Sequence, residues 1–396
     1  EIPQGDWSSD VCSSDLNLVT WDKNRKWEEV KTVKNELIDK TVTTVPKPGV
    51  RYFFTENGGS KQSFWSEVLA IFISFFFAGI VPLLIILFFV GWLSVRARRI
   101  FAASFLTLLI PVKTYDSKVL KWKIWDCLYD YFSFSMIFDE GFDSSKKHLF
   151  AEYPHGVAPM SCAVSGCAMP HFNPTLPMYS LTTESALIIP GYSAIIRWMG
   201  SIPATNKRLR QALAEGSCAV VVDGIAGMYI DEPDKEMIKF SGRKGFIRAA
   251  VETGTPIVPV YHFGNSQLLK LKPKFLEKPA RKIQCAMGFI LGRWGLPFPK
   301  KVPLMVAVGK SIEVKKMSRE DPEFSAYVDE IQQQVADEIQ RVYYKYRCVY
   351  GWNDRPLELY SRVCYKQTMV HRSTARPFLP FARSTLRSSP ASKDGT

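Results

Sequence analysis

The stretch that decides the fold is KHLFAEYPHGVAPM, residues 147–160. Its first half, His148–Tyr153, is a short apolar run that is typical of a buried β-strand, and it leads directly into Pro154, His155 and Gly156. Proline restricts the backbone before the histidine, and glycine lets another molecule approach without meeting a Cβ atom. The pattern predicts a histidine that is presented at the end of a strand.

Short β-branched runs and helical patterns alternate after this stretch. We predict further strands at Cys218–Asp223, Pro256–Phe263 and Val302–Val308, with helices at Glu184–Trp198, Lys207–Glu215 and Lys244–Thr253. Asp321 and Pro322 are typical of a helix start, and apolar residues then recur at spacings of three and four. This closing helix should pack on the core. The pattern indicates an α/β domain over residues 113–359.

An uncharged apolar stretch precedes this domain. No charged residue occurs from Val68 to Val95, which is longer than the roughly 20 residues that cross the hydrocarbon core of a bilayer. We therefore predict a membrane segment over residues 63–112, in which Pro82 leaves both a tilted single span and a re-entrant hairpin open. The arginines that follow Val95 place that end on the cytosolic side.

The two ends of the chain are predicted to lie outside the folded domain. Residues 1–16 have no periodicity, and we interpret them as non-native sequence. Residues 17–62 are polar and predict a mobile cytosolic arm. Residues 360–396 are rich in Arg and Ser and predict a disordered basic tail.

The composition favours anionic partners and argues against several classes of site. The formal net charge is +13, which suits phospholipid headgroups, nucleic acid or a polyphosphate. Nucleic acid is disfavoured because aromatic residues are not interleaved with the basic clusters. The eight cysteines form no Cys-x-x-Cys pair and no histidine stands at metal-ligand spacing, so we predict reduced thiols and no metal site. Among the other histidines, we interpret His262 as a hydrogen-bonded core residue.

Five motifs in one order resemble the type-2 diacylglycerol acyltransferase family, which includes monoacylglycerol and wax-alcohol acyltransferases. They are Tyr153-Pro154-His155-Gly156, Asp223-Gly224, Arg243-Lys244-Gly245-Phe246, Ile257-Val258-Pro259-Val260 with Phe263-Gly264, and Gly292-Arg293-Trp294-Gly295. The resemblance covers roughly Trp125 to Leu357. It implies a glycerolipid-acyltransferase-like mixed sheet flanked by helices, with a membrane-embedded helical segment or hairpin before it.

The resemblance also implies the reaction. It points to transfer of an acyl group from acyl-CoA, as co-substrate and with no bound cofactor, to diacylglycerol, at the endoplasmic reticulum membrane or lipid droplets with the catalytic domain in the cytosol. A monoacylglycerol or fatty-alcohol acceptor, a non-catalytic membrane scaffold and a homo-oligomer stay open. A single displacement is expected because no Ser or Cys sits in a nucleophile elbow.

Residue roles follow from the chemistry of esterification. A neutral imidazole is the usual base for a hydroxyl proton near pH 7, so His155 is the candidate general base, and backbone N–H groups around Gly156 or Gly224 could face the oxyanion. Arg243 and Lys244 at a helix start suit coenzyme A phosphates. The predicted catalytic residues are His155 and Gly156, and the predicted substrate-binding residues are Tyr153, Pro154, Asp223, Gly224, Arg243, Lys244, Gly245 and Phe246.

The sequence departs from the family pattern at the acid partner of the histidine. Met160 stands where related glycerolipid acyltransferases carry an aspartate, and Glu152 or Glu184 could supply the carboxylate through space. The family's Pro-Gly-Gly turn is replaced by Val222-Asp223-Gly224, with Gly227 where a later acid is expected. Tyr153 occupies a position that is commonly histidine or glutamate.

Overall fold

The strands and helices are those of a computed structural model, which describes residues 34–56, 62–141, 143, 145–240 and 242–360. The predictions for residues 1–33 and for the tail from residue 361 lie outside the described residues. The strands are β1 Lys34–Leu37, β2 Val50–Phe53, β3 Ser135–Phe138, β4 Leu149–Tyr153, β5 Met178–Thr182, β6 Ser201–Pro203, β7 Ser217–Val221, β8 Glu236–Lys239, β9 Ile257–Phe263, β10 Lys270–Lys272, β11 Phe289–Leu291, β12 Met305–Val308 and β13 Leu357–Tyr360. The α-helices are α1 Phe64–Val90, α2 Val95–Ser104, α3 Ser117–Leu120, α4 Asp126–Tyr131, α5 Met160–Ala168, α6 Tyr192–Trp198, α7 Asn206–Glu215, α8 Gly224–Gly227, α9 Gly245–Thr253, α10 Glu277–Lys282 and α11 Phe324–Tyr350.

A mixed sheet organises the described part of the chain, with nine strands in the order β1-β2-β3-β12-β9-β4-β7-β5-β6. The strands from β9 to β6 in this order are all parallel, whereas β12 pairs with β9 in antiparallel fashion. Every residue of β4 and of β9 is buried, as expected for central parallel strands that are covered on both faces. The predicted α/β class, with a large mixed sheet flanked by helices, is confirmed.

The two faces of this sheet carry separate hydrophobic clusters. Side chains alternate along each strand, so Phe150 and Val258 pack in one cluster with α4 and α5, while Ala151 and Tyr261 pack in the other with α7, α9 and α11. The apolar stripe of α11 is buried in the second cluster, as its spacing predicts. Each central strand therefore presents alternate side chains to two different helical layers.

Local sequence patterns predicted the bounds of most core strands and helices to within a few residues. The predicted strands correspond to β4, β7, β9 and β12, and the predicted helices at Lys207–Glu215 and Lys244–Thr253 correspond to α7 and α9. The predicted helix Glu184–Trp198 is wrong over its first half. Pro190 and Gly191, which has a φ of +74°, separate the short helix α6 from a 3-10 turn at Ala186–Ile188.

Residues 34–56 correct the predicted extent of the polar arm. The strand β2 pairs with β3 and β1 pairs with β2, so this segment belongs to the main sheet. Val50, Tyr52 and Phe54 are buried in the core. Burial of these three apolar side chains favours an ordered strand over a mobile arm, and the folded domain therefore begins before residue 113.

The predicted membrane segment contains the helices α1 and α2. Several large apolar side chains of this region are exposed, including Phe72, Phe89 and Trp92, and α2 has no buried residue. Among the residues that the structure describes, no helix satisfies the combined length and apolarity required to span a bilayer.

Candidate active site

The candidate site lies at the carboxyl edge of three neighbouring parallel strands. The strand β4 stands between β9 and β7, and all three run in the same direction. His155 follows β4, Asp223 follows β7 and Asn265 follows β9. In open α/β sheets, this edge is where ligands bind. The fold therefore brings together residues that are far apart in sequence.

His155 is half-buried and held at both its backbone and its ring. Its backbone N–H donates to Asp223 Oδ1 at 2.9 Å. Its Nδ1 lies 2.8 Å from the carbonyl oxygen of Gly156. A carbonyl oxygen can only accept, so Nδ1 carries the hydrogen and Nε2 holds the lone pair. Burial lowers the pKa of the imidazole below its ordinary value, so the ring is neutral near pH 7 and Nε2 is available as a base.

Asp223 supports the histidine through the backbone. Its side chain is fully buried, and burial raises the pKa of this carboxyl to about 7. Oδ1 accepts from His155, whereas Oδ2 has no hydrogen-bond partner among the described residues. A Cβ atom on Gly227 would collide with Oδ2. The small residue at 227, where an acid was expected, thus leaves space for the carboxyl of Asp223.

Asn265 was not predicted as a site residue, yet it joins three parts of the site. Its Nδ2 donates to the carbonyl oxygens of Pro154 at 3.1 Å and His155 at 2.8 Å, and its Oδ1 accepts from the backbone N–H of Ser161 at 3.1 Å. Gly156 has a φ of +61°, and a Cβ atom there would lie 2.9 Å from Asn265 Nδ2. The glycine is therefore required by close approach as well as by its backbone angle.

A pocket of about 280 Å³ adjoins the histidine loop. Pro154 and Gly156, the neighbours of His155, line it, whereas His155 itself does not. Most of the other lining residues are charged or polar, with acids at Asp231, Glu232 and Glu236 and cations at Lys235, Lys270, Lys300 and Arg355. These charged groups suit a polar part of a substrate.

The residues predicted to bind substrate divide into two groups. Arg243 reaches the site, where Nη2 donates to the backbone oxygen of Asp223 at 3.4 Å. Lys244 instead forms an ion pair with Asp329 of α11, with Nζ 2.5 Å from Oδ1. Phe246, which follows Gly245 at the start of α9, is buried in the core, and so is the ring of Tyr153, which packs beside Phe240. The side chains of Lys244, Phe246 and Tyr153 are thus engaged within the protein, and their predicted substrate contacts stay predictions.

Neither proposed acid partner reaches the imidazole of His155 through a contact in the described structure. Glu184 is exposed. Glu152 is buried on the sheet with Cys162 and His262, and its burial raises the pKa of the carboxyl to about 7. The carbonyl oxygen of Gly156 takes the place of the missing acid, since it orients Nδ1. Backbone atoms leave no residue-type signal, so spacing could not have revealed this arrangement.

His262 is buried and its Nδ1 lies 2.8 Å from Ser161 Oγ, which confirms its interpretation as a hydrogen-bonded core residue. The sequence did not reveal the cluster of this histidine with Glu152 and Cys162, whose ligand atoms all lie within 4.8 Å of one another. The three residues are too far apart in sequence to form a recognisable spacing.

The lowered pKa of His155 predicts the pH dependence of catalysis. The neutral ring is the active form, so kcat/KM should stay level from about pH 8 down to the ordinary histidine pKa of about 6.5 and decrease only below it. A pH profile of initial rates tests this expectation. The Asp223→Asn variant is the control, because it removes the carboxyl that titrates near pH 7. An acid limb centred above pH 6.5 in that variant would contradict the assignment.

Comparison with known proteins identifies the class. A family model described as diacylglycerol acyltransferase matches residues 86–360. Diacylglycerol O-acyltransferase 2-like protein 6 of Homo sapiens is 23% identical over 276 residues, which are 62% of this chain and 81% of that protein. The 2-acylglycerol O-acyltransferase 1 of Bos taurus is 26% identical, over 59% of this chain and 75% of that protein. The crystal structure of the 1-acyl-sn-glycerophosphate acyltransferase from Thermotoga maritima aligns with a TM-score of 0.34 and 14% identity, over 69% of this chain and 97% of that one.

The protein is an acyltransferase. It belongs to the diacylglycerol acyltransferase family, since the family model covers more than half of the chain. The resemblance seen in the motifs of the sequence is thereby confirmed.

Proposed function

We propose that this enzyme transfers a fatty acyl group from acyl-CoA to diacylglycerol, with His155 as the general base. The observation that carries the proposal is the hydrogen bond between Nδ1 of His155 and the carbonyl oxygen of Gly156. This bond leaves Nε2 as the basic atom of a neutral ring at the carboxyl edge of the sheet. Family membership supplies the reaction class, and the ring supplies a group able to start it.

The proposed reaction is a single displacement. Nε2 of His155 takes the proton of the acceptor hydroxyl while the hydroxyl oxygen bonds to the thioester carbonyl carbon. The carbon–sulfur bond then breaks, and the imidazolium returns the proton to the thiolate of coenzyme A. The products are triacylglycerol and coenzyme A. Backbone N–H groups near Gly156 or Gly224 are the proposed donors to the oxyanion, because both segments lie at the carboxyl edge of the sheet.

Arg243 is the proposed contact for the phosphates of acyl-CoA. Its guanidinium lies beside Asp223, close to the loop that carries His155, and it can form charge-assisted hydrogen bonds with a phosphate. Lys244 is left out of this role because of its ion pair with Asp329. The polar pocket beside Pro154 and Gly156 is a second surface that could hold a polar part of either substrate.

We propose that the segment 63–112 holds the enzyme at a membrane, either within the bilayer or at its interface. The exposed apolar side chains of α1 and α2 support this proposal, because acyl chains would remove them from water. The arginines at 96, 98 and 99 would then face the cytosol with the catalytic domain. The endoplasmic reticulum membrane and lipid droplets are the proposed locations.

A monoacylglycerol acceptor is the second candidate. One relative is named as a 2-acylglycerol acyltransferase at 26% identity, comparable to the others, so acceptor choice does not follow from similarity. A fatty alcohol presents the same hydroxyl to the base and is the third acceptor to test.

An acceptor-competition assay tests the proposal. Purified enzyme in phospholipid micelles receives labelled acyl-CoA with equal amounts of diacylglycerol, 2-monoacylglycerol and a fatty alcohol, and the labelled esters are separated by chromatography. We expect labelled triacylglycerol to be the main product at early times. Labelled diacylglycerol, which forms from monoacylglycerol, is counted as a separate product. Predominant labelling of diacylglycerol or wax ester would replace the proposed acceptor, and wild-type enzyme without any ester product would reject acyl transfer.

A further inference from the structure

Three potential metal ligands converge on one face of the main sheet. Glu152 comes from β4, His262 from β9 and Cys162 from α5, which packs on that face. Glu152 and His262 are buried, and Cys162 is half-buried. None of the three takes part in the proton transfer proposed for His155.

The ligand atoms of this cluster are close together. His262 Nε2 lies 3.6 Å from Cys162 Sγ and 3.9 Å from Glu152 Oε1. The sulfur and the carboxylate oxygen also lie within 4.8 Å of each other. Nitrogen, sulfur and oxygen therefore surround one small volume.

The two separations from His262 Nε2 are close to those around a tetrahedral zinc ion. With Zn–S of about 2.3 Å and Zn–N of about 2.05 Å, a tetrahedral angle separates sulfur and nitrogen by about 3.6 Å. The corresponding nitrogen–oxygen separation is about 3.3 Å, compared with 3.9 Å here, so the carboxylate of Glu152 would need to move by about 0.6 Å. A side-chain rotation of a glutamate provides a movement of this size.

The orientation of His262 fits a metal ligand better than a catalytic triad. Its Nδ1 is hydrogen-bonded to Ser161 Oγ at 2.8 Å, and Nε2 faces both the thiol and the carboxylate. In a nucleophile–histidine–acid triad, the acid contacts the nitrogen opposite the nucleophile. In a metal site, the second ring nitrogen is held by an outer partner, which is the position of Ser161 here.

We infer that Glu152, Cys162 and His262 form a binding site for one Zn²⁺ ion. Thiolate, imidazole and carboxylate together favour zinc over magnesium or calcium, which prefer oxygen ligands. The ion would join β4, α5 and β9. Of these elements, β4 leads to His155 and β9 leads to Asn265. The site does not depend on the proposed acyl acceptor, since it uses other side chains.

Metal binding to the full-length protein tests this inference. Purified protein is stripped with a chelator, incubated with Zn²⁺, desalted and analysed for zinc by mass spectrometry, and a second sample is titrated with Co²⁺. We expect the wild-type protein to hold about one Zn²⁺ per chain more than the Cys162→Ser variant. The wild-type protein with Co²⁺ should show a thiolate-to-Co²⁺ charge-transfer band in the near ultraviolet. Cys162→Ser and His262→Gln should remove the band, and Ser161→Ala should weaken zinc binding by about 10-fold or more.

Cys167→Ala is the matched control, because Cys167 lies on the same helix but is not part of the cluster. It should keep both the zinc and the band. Zinc should also raise the thermal midpoint of the wild-type protein but not that of Cys162→Ser. Wild-type protein without zinc after loading, or Cys162→Ser with wild-type zinc content, would overturn the inference, and the first of these results does not depend on whether any variant folds.

Discussion

Replacing His155 with alanine should lower kcat by about 10²–10⁴-fold while the protein stays folded, because the reaction then lacks its general base. The ring of His155 is half-buried, and its hydrogen bond is to the carbonyl oxygen of the neighbouring Gly156. Removal of the ring should therefore lower the stability of the protein only slightly. Initial rates with labelled acyl-CoA and diacylglycerol give the loss of activity, and circular dichroism confirms the fold. Imidazole added to the solution should restore part of the rate in the alanine variant.

His155→Gln is the matched variant at the same position. Glutamine retains hydrogen-bonding groups and much of the side-chain volume but cannot accept a proton near pH 7. It should therefore be as inactive as alanine and should not respond to imidazole. If either variant keeps activity within about twofold of wild type, His155 is not the base. If wild-type and variant proteins are equally inactive, a scaffold of the same family becomes the better interpretation.

Replacing Asn265 should have the second-largest effect, because one side chain positions the entire histidine loop. Asn265→Asp would place a carboxylate against the carbonyl oxygens of Pro154 and His155, to which the amide now donates. Asn265→Ala would leave those oxygens and the N–H of Ser161 without this partner. Each buried group left unsatisfied costs about 1–3 kcal/mol, so we expect the free energy of unfolding to fall by about 3 kcal/mol or more.

The kinetic result should separate positioning from a general loss of stability. A displacement of about 1 Å at the base can reduce the rate by about 10²-fold, so kcat should fall strongly at temperatures where the variant is folded, with KM changed much less. Asn173→Ala is the control, since Asn173 is also buried and accepts a hydrogen bond from Thr175 Oγ1. It should lower the unfolding free energy without lowering kcat. Equal kcat values for the Asn265 variants and wild type would contradict the positioning role.

Local patterns in the sequence were sufficient for the reaction class and for the central strands. The runs that became β4 and β9 are mainly apolar because both faces of these strands are buried, and this property is visible in any window of five to seven residues. The motif at residues 153–156 also identified the histidine, because proline and glycine impose local backbone constraints that do not depend on distant residues. The family assignment follows from such motifs in one order.

Contacts between distant parts of the chain could not be predicted from local sequence patterns. Lys244 appears in the sequence as a free cation at a helix start, but its partner Asp329 lies on a helix that only the packed core brings near. The strands of residues 34–56 appeared polar because each run is short, β1 has no buried residue, and the buried Val50 and Tyr52 of β2 alternate with half-buried residues. In both cases the deciding interaction joins segments whose separation in sequence carries no signal.

By itself, the sequence determined the family, the α/β class and the identity of the proposed base, since these depend on residue types and on local periodicity. Only the tertiary structure decided how that base is held: by the Gly156 carbonyl, by Asp223 and by Asn265. It also decided that Glu152, Cys162 and His262 meet. The physical reason is that parallel strands align their carboxyl ends at one edge, so residues about 100 positions apart become neighbours through strand order and register.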